Sequence, residues 1–233
     1  MSQLHTPLQI GSVQLPNRIF MAPLTRMRAF EQRSVGDLQV EHYRQRATAG
    51  LILTEATSVC PMGVGYPNTP GIWSAQQVAG WKRVTDAVHA AGGHIAVQLW
   101  HVGRISDPEL LDGQLPVAPS AIAAEGDVSV LRPKRPYAVP RALETAEIAG
   151  IVQDFVQAAR NAKEAGFDFI EVHAANGYLF DQFLHEGSNQ RTDQYGGSIE
   201  NRARFLLETV DALLKEWPAE RIGVHLNPMS NTH

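Results

Sequence analysis

The sequence predicts an α/β protein built on a parallel sheet, and three observations support this prediction. Short runs rich in β-branched and aliphatic residues alternate with amphipathic helical segments. The order strand then helix repeats, which favours parallel strands joined by crossovers. Two long segments rich in glycine or proline follow predicted strand ends. The predicted strands are 18–23, 51–57, 94–100, 167–173 and 221–227, and the predicted helices are 37–49, 75–91, 144–165 and 198–217.

Local signals justify these elements in chain order. Residues 8–18, LQIGSVQLPNR, are predicted to form a small β-hairpin ahead of the first strand. Helix 75–91 has apolar residues at i, i+3 and i+4 spacing, and Gly92–Gly93 ends it. A short apolar strand ends at His173 and is followed by the start of a helix at 177–184. Ser198 is a good N-cap for the last helix.

Two long segments, 58–74 and 101–143, interrupt the alternation of predicted strands and helices. Both follow the carboxyl end of a predicted strand. The first is rich in glycine and proline, and the second is rich in proline, alanine and serine and has no clear period. Long loops in compact domains usually form lids or binding loops. In a (β/α)₈ barrel, the carboxyl ends of the strands are where active sites are built. We therefore expect a site at this edge of the sheet.

The number of strands leaves two architectures open. Five predicted strands fit a smaller open α/β sheet, whereas a closed barrel of this kind has eight. Parallel strands need cover on both faces, and no helix follows strand 221–227. We favour the front part of a (β/α)₈ barrel. Residues 1–233 are then one barrel domain that is incomplete at its C-terminus.

Composition excludes several functional classes. The 233 residues carry a net charge of −4, so a nucleic-acid partner is not expected. No apolar run approaches the roughly 18 residues of a membrane span. The N-terminus lacks the layout of a signal peptide. Cys60 is the single cysteine, which rules out an internal disulfide and a cysteine-based zinc cluster. These features predict a cytoplasmic protein without a membrane partner.

Polar side chains arrive at the carboxyl end of every predicted strand. Side chains alternate along a strand, so residues two apart share a face. Each also has an ordinary explanation: buried carboxylates with partners for Glu55 and Glu171, a core histidine, a helix cap for Asn176 and simple packing for Tyr178. The occurrence of polar side chains at the ends of all five predicted strands favours a functional site. Its members are Thr25, Glu55 with Thr57, Gln98 with Trp100, Glu171 with His173, and His225 with Asn227.

The chemistry available to these groups is limited. The sequence has no G-x-S-x-G nucleophile, no P-loop and no G-x-G-x-x-G motif. Neutral donors such as His, Asn, Gln, Thr and Tyr remain. They suit a planar polar ligand and a carbonyl or nitro oxygen better than they suit hydrolysis. Hydride transfer would need a cofactor, because amino acid side chains cannot supply a hydride.

Six segments together resemble the Old Yellow Enzyme family of flavin-dependent ene-reductases, which includes N-ethylmaleimide and 12-oxophytodienoate reductases. The resemblance covers nearly the whole chain, in order. The segments are RIFMAPLTR, YRQRATAGLILTEAT, GYPNTPGIWS, HIAVQLWHVGR, HAANGYLFDQFL and NQRTDQYGGSIENRARFLLE.

The resemblance implies a (β/α)₈ barrel that holds FMN non-covalently at its C-terminal face. NAD(P)H would serve as reductant, and the alkene would be an enone, a nitroalkene or a maleimide. Hydride would reach the β-carbon of the alkene and a tyrosine would protonate the α-carbon. The implied flavin contacts are Pro23, Thr25, Ala56, Gln98 and His225; the implied oxygen-binding pair is His173 and Asn176; the implied proton donor is Tyr178; and Tyr66 and Trp100 would line the substrate pocket.

Two departures from the family pattern carry hypotheses. His225 stands where the family usually has an arginine beside the flavin, so we expect reduced flavin to be less stabilised and its potential to depend on pH. The phosphate-binding residues of the family come from the last two barrel units, as is general for this fold. We therefore expect the 233-residue chain to hold FMN weakly by itself.

Two alternatives remain open at this stage. One is a chain that has the family sequence but no bound cofactor, inactive alone or in need of a partner chain. The other is a metal-dependent hydrolase, since His101, His173 and His225 follow strand ends with Glu55 nearby. The oligomeric state is open.

Overall fold

The sheet of this protein curls into part of a (β/α)₈ barrel, which confirms the predicted fold class. The computed structural model describes residues 3–29 and 31–229. Parallel strands lie in the order β10-β9-β6-β4-β3, and β5 pairs with β6 beyond β4. The strands of the sheet are β3 (Phe20–Met21), β4 (Leu51–Leu53), β5 (Thr57–Ser58), β6 (Ile95–Trp100), β9 (Phe169–His173) and β10 (Ile222–His225).

Helices connect these strands and cover their outer face. Ser74 and Ser198 cap α2 and α5 through their side chains, and the Gly93 N–H closes the end of α2 on the Val88 carbonyl. The sequence therefore located these helix ends well. The helices are α1 (Asp37–Arg44), α2 (Ala75–Ala90), α3 (Thr145–Glu164), α4 (Leu179–Leu184) and α5 (Ile199–Leu213), with 3₁₀ turns at Gln3–His5, Glu31–Arg33, Pro61–Gly63, Pro108–Leu110 and Ala219–Arg221.

Several predicted strands were too long: 167–173 and 221–227 shorten to Phe169–His173 and Ile222–His225, and two others change more. Pairing of the predicted strand 18–23 is confined to β3, because Pro23 has no N–H to donate and restricts the residue before it. The predicted strand 51–57 splits into β4 and β5. There the Gln98 N–H donates to the Thr54 hydroxyl at 3.2 Å, so a side chain replaces a backbone acceptor of the ladder. Helices 37–49 and 198–217 also end early, at Arg44 and Leu213.

Three apolar clusters organise the interior formed by the described residues. The largest lies between the outer face of the sheet and the helices, and includes Trp81, Phe155 and Phe205. A second fills the barrel side of the sheet with Leu15, Leu51, Ala96 and Phe169. The predicted hairpin, β1 (Leu8–Ile10) with β2 (Val13–Leu15), packs against this second cluster. The third cluster lies at the carboxyl ends of the strands and is built largely from the second long loop, 101–143.

The long loops have defined internal structure. Short strands β7 (Val117–Ala118) and β8 (Arg141–Ala142) pair in parallel inside 101–143, where the sequence shows no period. Two residues are too few to produce a periodic signal. Arg135 bonds the buried Asp107 from its Nε at 2.9 Å, which ties two parts of the loop together and lowers the pKa of Asp107. No helix in the described part of the chain is long and apolar enough to cross a membrane.

Candidate active site

Strand register brings polar side chains together at the carboxyl ends of β6, β9 and β10. Gln98 pairs with Glu171, and His173 pairs with His225. Side chains at paired positions of parallel strands point the same way, so these pairs meet. Gln98 Nε2 donates to Glu171 Oε2 at 2.6 Å and lies 3.5 Å from His225 Nδ1. The rings of His173 and His225 stack with centroids 5.0 Å apart.

The turn after β9 holds Asn176 in a left-handed conformation. Its φ is +59°, and that of Gly177 is +78°. Non-glycine residues rarely adopt this conformation, and asparagine tolerates it better than most. The Gly177 N–H donates to Asp181 Oδ2 at 2.7 Å, and Asn227 Nδ2 donates to Asn176 Oδ1 at 3.1 Å. The N-cap position of α4 is Tyr178, so the cap explanation for Asn176 is wrong.

Tyr178 lies within an aromatic group contributed by three parts of the chain. Its ring stands edge-on to His173 and to Trp100, with centroid distances of 5.0 Å in both cases. Its hydroxyl lies 3.1 Å from the hydroxyl of Tyr66, which belongs to the first long loop. Trp100 is 0% exposed and also contacts the Tyr66 ring at 5.3 Å. Trp100 therefore packs against the rings of both tyrosines. That Trp100 lines a substrate pocket stays a prediction.

Burial fixes the protonation states of the two central groups. It lowers the pKa of His173 to about 3, with a smaller contribution from His225. It raises the pKa of Tyr178 well above 10. At neutral pH both groups are uncharged, and each carries a proton that it can donate in a hydrogen bond. His173 Nδ1 is buried and has no hydrogen-bond partner among the described residues.

The five predicted flavin contacts lie at or near the carboxyl ends of four strands of the sheet, with Gln98 inside β6. Ala56 and Gln98 are buried, Pro23 and His225 are half-buried, and Thr25 is exposed. Gln98 donates through Nε2, and its Oε1 accepts no bond from the described residues. A small apolar residue beside a buried amide suits a planar ring with a polar edge. These side chains therefore fit the ring of a flavin.

Sequence reasoning missed the residues that hold this site in place. Gln182 Nε2 donates to the carbonyls of Val102 and Gly177 at 2.9 and 2.7 Å, and its Oε1 accepts from the Arg104 N–H at 3.1 Å. Gln182 thus joins the second long loop to the turn before α4. A polar residue on an apolar helix, at i+4 from Tyr178, was the available signal. Sequence reasoning also missed Tyr137, which belongs to the third apolar cluster together with Tyr66 and Tyr178.

Glu55 and Glu171 have the hydrogen-bond partners that their structural interpretation requires. Glu55 accepts from the Arg26 N–H and from the Tyr43 hydroxyl, and Glu171 accepts from Gln98. Across residues 3–29 and 31–229, no three His, Cys, Asp or Glu side chains are grouped to hold a metal ion. His101 Nδ1 instead accepts from the Gly103 N–H at 3.1 Å. The hydrolase alternative thus lacks a ligand set in this part of the chain.

Comparison with known proteins gives one consistent family. Residues 3–233 match the NADH:flavin oxidoreductase / NADH oxidase family. The chain is 47% identical to a flavin oxidoreductase of Emericella nidulans over 97% of its own length, and 45% identical to 12-oxophytodienoate reductase 1 of Oryza sativa subsp. japonica over 97%. It covers 59% and 58% of these two proteins. The chain thus spans less than two thirds of the curated relatives it matches.

Solved structures agree with the sequence comparison. Morphinone reductase in complex with tetrahydroNAD superposes with a TM-score of 0.94 at 55% identity, over 100% of this chain and 66% of that one. The Old Yellow Enzyme homologue from Zymomonas mobilis superposes with a TM-score of 0.95 at 44% identity, over 99% of this chain and 65% of that one. This protein therefore belongs to the NADH:flavin oxidoreductase / NADH oxidase family, and its predicted membership of the Old Yellow Enzyme family is confirmed.

Proposed function

We propose that this chain carries the flavin-ring and substrate contacts of an NAD(P)H-dependent FMN ene-reductase. The observation that carries the proposal is the group formed by His173, Asn176 and Tyr178 at the end of β9. Two neutral hydrogen-bond donors and a left-handed asparagine lie within six residues, beside the strand ends that suit a flavin ring. Family membership supports flavin use.

The chain's own residues would position the cofactor. FMN, when bound, supplies the hydride that amino acid side chains cannot supply, after reduction by NAD(P)H. Ala56 and Pro23 would contact the ring. Gln98 would bind its polar edge through the amide, with Thr25 and His225 nearby. Glu171 keeps the Gln98 amide oriented through the 2.6 Å hydrogen bond.

His173 and Asn176 would bind the electron-withdrawing oxygen of the substrate. When hydride reaches the β-carbon of an enone or nitroalkene, negative charge develops on that oxygen. Donors fixed in place before the reaction stabilise this charge, at about 3 kcal/mol per donor in comparable sites. The low pKa of His173 favours a neutral imidazole here. It would donate a hydrogen bond without carrying a charge that the buried site would have to solvate.

Tyr178 would complete the reaction by transferring its hydroxyl proton to the α-carbon. Because burial raises its pKa, Tyr178 stays protonated over the physiological range. Its ring is held between Trp100 and His173 and its hydroxyl lies against that of Tyr66, so its direction is fixed. Tyr66 would thereby also bound the substrate pocket.

Tyr178→Phe tests this assignment. With FMN in excess, we expect flavin reduction by NAD(P)H to be unchanged and alkene turnover to fall by about 10²-fold or more, the usual loss for a removed proton donor. Stopped-flow measurement of the two half-reactions separates these steps. Tyr195→Phe is the matched control, because Tyr195 bonds Glu208 on α5, in another part of the chain. Alkene turnover within a factor of two of wild type in Tyr178→Phe would exclude this role.

A further inference from the structure

Glu55 is a buried acid for which the proposed reaction has no use. It lies just beyond β4 and is 1% exposed. Glu55 Oε2 accepts from the Arg26 N–H at 3.1 Å, and its Oε1 accepts from the Tyr43 hydroxyl at 3.2 Å. The Tyr43 hydroxyl in turn accepts from the Glu55 N–H at 2.9 Å. One carboxyl group therefore connects three parts of the chain: α1, the end of β4 and the segment after β3.

The positions of these bonds relate Glu55 to the flavin contacts. Arg26 directly follows Thr25, and Ala56 directly follows Glu55. Residues 22–28 have no regular secondary structure, and Thr25 is exposed. A segment without ladder hydrogen bonds needs other contacts to hold its backbone. The bond from the Arg26 N–H to Glu55 is such a contact, one residue from Thr25.

We propose that Glu55 is a positioning residue, whose carboxylate fixes the segment bearing Thr25 relative to Ala56 for flavin binding. This inference rests on the proposed function, because Thr25 and Ala56 are flavin contacts only within it. The bond from an N–H to a carboxylate is charge-assisted and stronger than a bond to the neutral acid. The segment is therefore held more firmly when Glu55 is ionised.

Of the three titratable groups Glu55, Tyr43 and His42, Glu55 is the one that changes charge near neutral pH. Burial raises the pKa of Glu55 to about 7, opposed by its hydrogen bonds to the Arg26 backbone and Tyr43 and by the Arg26 charge. Burial raises the pKa of Tyr43 well above 10, so Tyr43 stays neutral. Burial and then Arg26 and Arg46 lower the pKa of His42 to about 4, so this neighbour of Tyr43 on α1 is neutral as well.

Amide NMR of the 233-residue chain tests the inference without flavin or activity. We expect the Arg26 amide signal to titrate with a midpoint near pH 7, and its hydrogen-exchange protection to be about tenfold higher above that midpoint than below it. Glu55→Gln should abolish the titration and keep protection low. Glu171→Gln is the matched control, a half-buried acid with a raised pKa that bonds Gln98 instead of Arg26. It should leave the Arg26 titration intact.

The wild-type titration decides the matter even if Glu55→Gln fails to fold. An Arg26 signal that does not move between pH 5 and 9 would overturn the inference. So would a titration that survives Glu55→Gln or disappears in Glu171→Gln.

A parallel titration with FMN, followed by flavin fluorescence, separates this inference from the proposed function. If the Arg26 amide signal titrates but FMN does not bind, the hydrogen bond between Glu55 and the Arg26 N–H stands, and its role in flavin binding is rejected. FMN binding of equal affinity in wild type and Glu55→Gln would remove the positioning role and leave the proposed function standing.

Discussion

At the scale of single residues, the buried carboxyl group of Glu55 makes the stability of the fold depend on pH. Its pKa is about 7 in the folded protein and close to 4.5 when the chain is unfolded. Between these values the folded state binds more protons than the unfolded state. The stability contributed by the neutral acid is therefore complete below pH 4.5 and is lost as pH rises through 7.

This linkage predicts the behaviour of Glu55→Gln in urea unfolding. Relative to wild type, the variant should gain up to about 3 kcal/mol of unfolding free energy between pH 4.5 and 8, because glutamine does not ionise. Comparing the two proteins at each pH cancels the other titrating groups. A difference between them that is the same at pH 4.5 and pH 8 would contradict the prediction.

Residue patterns in the sequence predicted where the candidate site lies but not what supports it. Alternation along a strand was enough to place Gln98, His173 and His225 at one edge of the sheet, since that edge follows from parallel pairing. The bond from Gln182 to Val102 spans 80 residues of chain. Nothing in a local pattern specifies such a contact, because loop packing decides it.

At the scale of elements, α4 and the second long loop depend on each other through Gln182. The side chain is 1% exposed, and Gly103, with φ of +60°, lies against it. A Cβ on residue 103 would come within 2.2 Å of Gln182 Oε1, so the loop needs glycine at this point. The sequence predicted the start of a helix at 177–184, and the absence of a period predicted the loop at 101–143. The bond between them required the folded structure.

Gln182→Ala should therefore loosen both elements together. The substitution removes the partner of the buried Gly177 carbonyl and of the buried Arg104 N–H, and one of two hydrogen bonds to the Val102 carbonyl, which costs about 3 kcal/mol of unfolding free energy. Hydrogen exchange should increase in the turn at 174–178 and in the loop at 102–106 in parallel. Gln153→Ala, at an exposed position of α3, is the control and should change stability by less than about 0.5 kcal/mol. Increased exchange confined to α4 would show that the two elements are independent.

At the scale of the whole molecule, the sheet has two edges with apolar surface beside them. In the described part of the chain, β3 and β10 each pair with one strand only. Phe20 beside one edge is 41% exposed, and Val224 beside the other is 39% exposed. Parallel pairing of the strands, which the sequence predicted, accounts for the two edges. How far the residues at these edges are exposed depends on where each strand ends.

Unpaired, apolar strand edges favour association between chains, and lysine at an edge opposes it. We therefore expect a polypeptide of these 233 residues to self-associate as its concentration rises, and Val224→Lys to reduce that association. Sedimentation equilibrium measures both effects. Ile199→Lys is the matched control, because Ile199 is 72% exposed but lies on α5, away from either edge. If the control reduces association as much as Val224→Lys does, general surface charge and not the strand edge governs assembly. A monomer at all concentrations would show that the edges are protected within the chain itself.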